Sequence, residues 1–319
     1  MNGIAGRRLF LLLGLTAIYA ACFAVIKAGL AFAPPLLFGG LRALIGGLFL
    51  FGWILVLREP VMPPRQHWGG IIALALTATT LAFGAMFLSP GRTGAGIASV
   101  LGNTQPLIVI VLAALFLGEP VTRPQWITLI FGLVGVTLIS WQALAGPDAY
   151  GVSGAVLALT ASGGAALGSV LFKRMEITTG LLAVTAWQLV LGSLPLLAAS
   201  VIWERNAPVI WNPEFVIELL FLALAGTSFA NAVWYWLIQR GAVGELSLFL
   251  FMVPVFGLGL AVLVFGEQIS WLEGLGLALT LAGIGLIARA PDGQALPKPL
   301  ESSFTPQFMN EAKEHDDLR

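Results

Sequence analysis

Two stretches of the chain share one pattern: residues 94–140 read GAGIASVLGNTQPLIVIVLAALFLGEPVTRPQWITLIFGLVGVTLIS, and residues 242–288 read AVGELSLFLFMVPVFGLGLAVLVFGEQISWLEGLGLALTLAGIGLIA. Aligned without a gap at an offset of 148, they are identical at 13 of 47 positions. The identical pairs include Gly96 and Gly244, Ser99 and Ser247, Pro106 and Pro254, Gly118-Glu119 and Gly266-Glu267. Shared hydrophobicity is a poor source of matched Pro and Gly-Glu residues, so the pattern predicts an internal repeat.

The repeat extends toward the N-terminus of each copy at a slightly different offset. An offset of 146 aligns Lys27 with Lys173 and Arg42 with Gln188. We therefore predict a first repeat over residues 9–141 and a second over residues 151–289. The remaining residues are a short N-terminus, 1–8, a linker, 142–150, and a flexible tail, 290–319.

The composition indicates an integral membrane protein. Of the 319 residues, 58% are hydrophobic and 10% are charged, against about 45–50% and about 25% in soluble chains. This balance and the zero net charge exclude a soluble enzyme and a nucleic-acid binder. A single cysteine and two histidines offer no disulfide framework and few metal ligands. We expect no cofactor and no metal.

Hydrophobic stretches long enough to span a membrane occur along the whole chain up to residue 289. A bilayer core of about 30 Å takes about 20 apolar residues of helix, far longer than a barrel strand. We predict an all-α fold with ten transmembrane helices, over residues 9–28, 36–57, 68–88, 94–117, 124–141, 151–172, 180–203, 214–240, 243–266 and 271–289.

Lysine and arginine positions predict the orientation, because cytoplasmic loops retain positive charge. With the N-terminus inside, twelve of the 16 fall on the cytoplasmic side. Both termini are therefore predicted to be cytoplasmic, in a cell membrane such as a bacterial inner membrane. Five helices per repeat is an odd number, so the second copy is inverted relative to the first. Inverted repeats are typical of secondary transporters that work by alternating access.

The residues that carry a family resemblance lie in both copies. They are Tyr19, Lys27 and Arg42, Ala98-Ser99 with Pro106 and Gly118-Glu119, Trp187-Gln188, and Ser247 with Pro254 and Gly266-Glu267. On these motifs the chain resembles the EamA type of the drug/metabolite transporter superfamily over about 10–141 and 151–289. It is most similar there to the aromatic amino-acid exporters of the YddG type. The resemblance implies two inverted halves and export of small metabolites, aromatic amino acids among them.

Two cations inside predicted spans are candidate substrate contacts on the extracytoplasmic side: Arg42 lies about two turns into helix 2, and Lys27 lies near the end of helix 1. A charge at the bilayer centre costs about 2.5–3.5 kcal/mol on insertion scales, which favours a functional reason for Arg42 and Lys27. Each either meets a substrate carboxylate, or takes part in gating, or extends to the interface as long basic side chains do.

Polar and aromatic residues inside other spans are further candidates. Asn103 and Gln105 flank Pro106 in predicted helix 4, and they either bind substrate or tie helices together. Pro106 and Pro254 are either hinges or tolerated kinks. The remaining substrate-binding candidates either line a cavity that stacks on a flat ring or pack the core: Tyr19, Phe83, Phe87, Trp187, Gln188, Asn231, Trp234 and Tyr235.

Acidic residues bear on the energy source. Glu59, Glu119, Glu176, Glu204, Glu245, Glu267 and Glu273 fall at predicted helix ends or loops. A proton-driven drug antiporter of this superfamily is expected to carry a mid-membrane carboxylate, so we expect facilitated movement down the substrate gradient. The alternatives are a carrier of cationic drugs or nucleotide sugars, and a membrane enzyme or sensor. An enzyme would need clusters of Asp, His or Ser at membrane depth, and the sequence offers only isolated hydroxyls there, such as Thr77, Thr79, Thr80, Ser162 and Ser228. The sequence leaves the oligomeric state open.

Overall fold

The computed structural model describes residues 3–90, 92, 101–141, 152–177, 179–265 and 268–289. In these ranges the ordered elements are helices, with no strand among them. Eight of the helices are long and apolar enough to cross a membrane, and two shorter ones are equally apolar. The predicted all-helical membrane class is therefore confirmed, while the count of ten spans stays a prediction.

The helices are named α1 to α10 in chain order. Their bounds are Gly3–Gly29, Pro35–Leu57, Arg65–Leu88, Gln105–Leu117, Arg123–Ile139, Val152–Arg174, Leu181–Trp203, Pro213–Gln239, 243–265 and Trp271–Arg289. Except for α1 and α4, these bounds agree with the predicted spans to within three residues. The predicted start of helix 4, with Ser99, lies outside the described residues, as do Gly266-Glu267, the linker and the C-terminal tail.

Helix α1 begins earlier than the hydrophobic pattern predicts, and predicted helix 4 is interrupted by a turn that follows the helical residues Leu101 and Gly102. Helix α1 begins at Gly3, so most of the predicted N-terminal segment is helical. Asn103 and Thr104 form a turn, and α4 begins after it at Gln105. Pro106 is therefore in the first turn of a helix and not in the middle of one as predicted. A proline in this position breaks no helical hydrogen bond, because the first turn has free N–H groups.

Two helices contain a π-helical segment at matched positions. In α3 the segment is Ala75–Leu81, and in α8 it is Leu224–Phe229, which the offset of 148 brings into register. Thr227 and Ser228 donate to the carbonyls of Leu222 and Ala223, at 2.8 and 2.9 Å, each five residues back. Such wide turns in a helix are frequent at functional sites.

Glycines allow the helices beside these segments to approach closely. A Cβ at Gly46 of α2 would lie 2.9 Å from the Ala223 oxygen, and one at Gly47 would lie 3.0 Å from the Ala186 oxygen of α7. Helix α5 meets α10 in the same way through Gly135 and Gly276. Small residues are the usual means of close helix packing in a membrane, where apolar side chains gain little by leaving lipid.

The turn between α8 and α9 is tied on both sides. Lys173 Nζ donates to the carbonyls of Ile238 and Gly241, at 2.6 and 3.0 Å. The Glu119 carboxylate accepts from the N–H groups of Val243 and Gly244, at 2.9 and 3.0 Å. Lys173 thus pairs with free carbonyl groups at the C-terminal end of α8, and Glu119 pairs with free N–H groups at the N-terminal end of α9. Both charges have the sign that the helix dipole favours at that end.

Neighbouring glycines on α6 provide a matched test of close packing. A Cβ at Gly164 would lie 2.8 Å from the Thr77 oxygen and 3.1 Å from the Ala82 nitrogen, whereas a Cβ at Gly163 meets nothing within 4 Å. We expect Gly164→Leu to destabilise the fold by about 1–3 kcal/mol and Gly163→Leu to change it little. Thermal unfolding of the purified variants in detergent measures this, and equal midpoints would contradict the packing.

Candidate functional site

Arg42 is buried between three helices. Its side chain is 3% exposed, and it leaves α2 toward the π-helical segment of α8. Nε donates to the Thr227 hydroxyl at 2.6 Å, and Nη2 donates to the Gly226 carbonyl at 2.9 Å. The guanidinium carbon lies 4.7 Å from the centre of the Phe83 ring on α3. The side chain is thus held inside the protein instead of extending along its surface.

The positive charge of Arg42 has no acidic partner in the described part of the chain. Its electrostatic neighbours there are the Tyr19 hydroxyl and the Cys22 thiol on α1, which are neutral groups. An arginine stays charged in proteins, and a buried charge without a partner costs several kcal/mol. A buried cation of this kind is a functional-site hypothesis by default.

Gln188 makes the equivalent contact in the second copy. It is 1% exposed on α7, and its Nε2 donates to the Thr79 hydroxyl in the π-helical segment of α3 at 2.9 Å. Gln188 aligns with Arg42, and Thr79 aligns with Thr227. We refer to these two matched contacts, Arg42–Thr227 and Gln188–Thr79, as the double clasp.

Two further hydrogen bonds lie next to the double clasp, and they too occupy equivalent positions in the two repeats. The Ser228 hydroxyl donates to the Gly46 carbonyl of α2 at 2.8 Å, and the Thr80 hydroxyl donates to the Gly192 carbonyl of α7 at 2.8 Å. Each π-helical segment therefore presents two adjacent hydroxyls to the helix that carries Arg42 or Gln188. Thr80 and Ser228 thus tie each π-helical segment to the backbone of the helix that carries Gln188 or Arg42, which holds the neighbouring clasp hydroxyl in position.

The double clasp leaves two buried atoms without a hydrogen-bond partner among the described residues. They are Nη1 of Arg42, called here the open donor, and Oε1 of Gln188, called the open acceptor. A buried polar atom left unpaired costs about 1–3 kcal/mol, and more if charged. Buried polar atoms are nearly always paired, so two such atoms in matched positions indicate a place for a polar ligand.

Aromatic residues complete the surroundings of the clasp. Tyr19 lies within electrostatic reach of both Arg42 and Tyr235. Tyr235 lies beside Gln188, and its ring stacks on Phe172 with centroids 4.0 Å apart and an interplanar angle of 10°. The structure thus brings together Tyr19, Arg42 and Phe83 with Gln188 and Tyr235 from the predicted set.

Both predicted tryptophans use their indole N–H groups within the protein. Trp187 donates to the Val61 carbonyl at 3.1 Å and packs edge-on against Phe51 and Trp68, which anchors the connection between α2 and α3. Trp234 donates to the Ser169 hydroxyl of α6 at 3.0 Å. These contacts correspond to the packing alternative for the aromatic residues.

The other predicted residues lie around the clasp or away from it. Lys27 is exposed at the end of α1, Asn231 is half-buried on α8, and Asn103 and Gln105 are half-buried at the start of α4. Pro254 is buried and follows the 3-10 turn Phe249–Phe251 within α9.

A cavity of about 690 Å³ lies beside the start of α2 and the ends of α3 and α7. It is lined by Leu30, Pro35, Leu36, Phe87, Leu88, Arg92, Trp203 and Glu204. The Phe87 ring is buried, and its centre lies 5.8 Å from the Arg42 guanidinium carbon. Phe87 therefore stands between this cavity and the buried cation.

Sequence reasoning missed the hydroxyl partners and one carboxylate. Thr79 and Thr227 align at the offset of 148, which is the signal that could have paired them with Gln188 and Arg42. Glu218 lies in α8, and its Oε2 is buried without a partner among the described residues. The prediction about acidic residues did not consider Glu218, which is half-buried in the second turn of α8.

The hydroxyl partners generate a test of the double clasp. Thr227→Val removes the acceptor of a charged donor and should cost about 1.5–3 kcal/mol, whereas Thr79→Val removes a neutral hydrogen bond and should cost about 0.5–1.5 kcal/mol. Thr160→Val is the control, since that hydroxyl donates to Val156 of its own helix. Unfolding in mixed detergent micelles measures all three. A Thr227→Val variant as stable as the control would contradict the buried charge.

Comparison with known proteins agrees with this architecture. The EamA-like transporter family matches the chain twice, over residues 7–141 and 152–289. An uncharacterized transporter of Synechocystis is 30% identical over 291 residues, covering 85% of this chain and 86% of that protein. A probable amino-acid metabolite efflux pump of Salmonella typhimurium is 26% identical over 284 residues, covering 86% of this chain and 92% of the pump.

A solved crystal structure shares the fold. Its TM-score is 0.73 at 20% sequence identity, and the match covers 86% of this chain and 94% of the other. The names of the family and of the relatives indicate transporters rather than enzymes. With eight helices of membrane-spanning length, the chain is a multi-pass membrane protein that belongs to the EamA-like transporter family.

Proposed function

We propose that the protein is a secondary carrier that exports a small metabolite with a carboxylate, an amino acid in the first instance, across a bacterial inner membrane. The observation that carries this proposal is Arg42, a buried guanidinium with an open donor and no acidic partner among the described residues. A carboxylate is the natural partner of a guanidinium, because charged hydrogen bonds between them are strong and can be bidentate.

Two inverted halves account for the matched features. The family matches once in each half, and the π-helical segments, the clasp hydroxyls and their glycine carbonyls recur at nearly one offset. Five helices in each half would invert the second copy, and the basic residues favour cytoplasmic termini. A substrate site between such halves lies near the middle of the membrane and can open to either side.

Alternating access would act on the double clasp itself. Arg42–Thr227 joins α2 of the first half to α8 of the second, and Gln188–Thr79 joins α7 of the second half to α3 of the first. Rocking of one half against the other would strain both contacts together. Pro106 and Pro254 each follow a break in helical geometry, which makes these positions suitable hinges.

The charge at the site favours an anionic or zwitterionic substrate over a cationic drug. A buried guanidinium repels a cation at short range in a medium of low dielectric. An amino acid offers a carboxylate to Arg42, and an aromatic one also offers a ring to Phe83 and Tyr19. The name of the related efflux pump supports amino acids as the substrate class. Lys27, exposed at the end of α1, would lie on the extracytoplasmic side, where it could meet the carboxylate as the substrate leaves.

The energy source remains the substrate gradient in this proposal. Glu218 is the observation that favours proton coupling instead, since its buried Oε2 lies in α8 close to Gly29 of α1. Transport assays with and without an imposed pH gradient distinguish the two, because a facilitative carrier is indifferent to the gradient.

Counterflow in proteoliposomes tests the role of Arg42. We expect the wild type to move labelled aromatic amino acids and to exclude the corresponding amines, which lack the carboxylate. Arg42→Gln should lower kcat/KM for the amino acids about 10–100-fold, the value of one charged hydrogen bond, and Arg42→Lys should retain part of it.

The control for this experiment is Arg65→Gln, an exposed arginine at the start of α3, which should transport as the wild type does. If the wild type transported the amines at the same rate as the amino acids, that result would contradict the carboxylate site. Preferential movement of cationic dyes or nucleotide sugars would replace the proposed substrate class.

A further inference from the structure

The two halves of the double clasp differ in one chemical respect. Arg42 presents an open donor, whereas its counterpart Gln188 presents an open acceptor. We infer that the two clasps are the two ends of one substrate site, with Arg42 binding the carboxylate and Gln188 accepting a hydrogen bond from the far end of the substrate side chain. This inference rests on the proposed function and assigns the class of amino acid that it would export.

The separation of the two ends follows from helix α3. Gln188 bonds to Thr79 of α3, and the Arg42 guanidinium lies over Phe83, four residues farther along the same helix. Four residues correspond to about 6 Å along a helix axis. The two side chains thus contact α3 at positions about one helical turn apart.

Helix α8 gives a larger separation, so the two helices together bracket it. Arg42 bonds to Thr227 of α8, and Tyr235, which lies beside Gln188, is eight residues farther along. That distance is about 12 Å along the helix. An amino acid's ammonium group shares a carbon with its carboxylate and cannot span one to two helical turns, whereas the tip of a long side chain can.

The residues around the two ends suit a flat ring. Tyr19 lies within electrostatic reach of Arg42 and Tyr235, and the Phe83 ring of α3 lies against the Arg42 guanidinium. Aromatic pairs in such an arrangement contribute about 0.5–1.5 kcal/mol beyond their buried area. A ring held there would direct a phenol hydroxyl or an indole N–H at the open acceptor of Gln188.

The open acceptor would therefore discriminate among aromatic amino acids. Tyrosine and tryptophan carry a donor at the end of the side chain, and phenylalanine carries none. A site that hydrogen-bonds a substrate rejects the analogue without that group, because its own buried polar atom is then left unpaired. The structure assigns Gln188 as the residue that sets this preference.

The test compares tyrosine with phenylalanine in counterflow, since the two substrates differ by one hydroxyl. We expect the wild type to prefer tyrosine by about 10–100-fold in kcat/KM. Gln188→Met keeps the size of the side chain but removes the acceptor, so the preference should fall to near one. Gln188→Glu keeps an acceptor, so the preference for tyrosine should survive.

Gln66→Met is the matched control, because the same substitution is made at an exposed residue and should leave the tyrosine preference intact. Equal transport of tyrosine and phenylalanine by the wild type would overturn the role of Gln188 and leave the carboxylate site standing. Absence of any amino-acid transport would overturn the proposed function and this inference together. A Gln188→Met variant that folds and still prefers tyrosine would also overturn it.

Discussion

The hydrogen bond from Arg42 to the π-helical segment of α8 constrains the whole interior of this molecule. A guanidinium that is 3% exposed must find hydrogen-bond acceptors inside the protein, because lipid and apolar side chains offer none. Thr227 and Gly226 provide them only because the helix widens there. Gly46 then lets α2 approach that wide turn closely enough for contact. A charge, a helix irregularity and a glycine thus depend on one another.

The membrane-spanning helices could be predicted from sequence because the bilayer imposes one rule on each of them. Every span needs about 20 apolar residues and internally satisfied backbone groups, and residues 36–57 and 180–203 meet that rule without reference to any neighbour. The turn at Asn103–Thr104 falls where Gly102, the polar residues 103–105 and Pro106 interrupt the apolar residues, a signal that is lost when hydrophobicity is averaged over a whole span. The π-helical segments Ala75–Leu81 and Leu224–Phe229 contain threonine or serine among apolar residues, a composition that an ordinary membrane helix also has, so the sequence did not distinguish them.

The candidate site was only partly predictable. The sequence shows that a polar residue in a membrane span is energetically unfavourable, but it does not show which residue forms its hydrogen bond. Arg42 and Gln188 stood out as costly, and the structure places both in buried hydrogen bonds. Their partners were visible as aligned threonines, but hydroxyl groups are too common in membrane helices to be singled out. Trp187 shows the reverse case, since a conspicuous side chain proves to anchor a loop through Val61.

Labelling of two single-residue cysteine variants tests most directly whether the halves run in opposite senses. Gln66 is exposed in the first turn of α3, next to the connection from α2, and Asn206 is exposed in the equivalent connection between α7 and α8. The only native cysteine, Cys22, is buried. Inverted halves predict that an impermeant maleimide added outside whole cells labels Asn206→Cys but not Gln66→Cys. Labelling of both variants from the same side would contradict inversion and the central site built upon it.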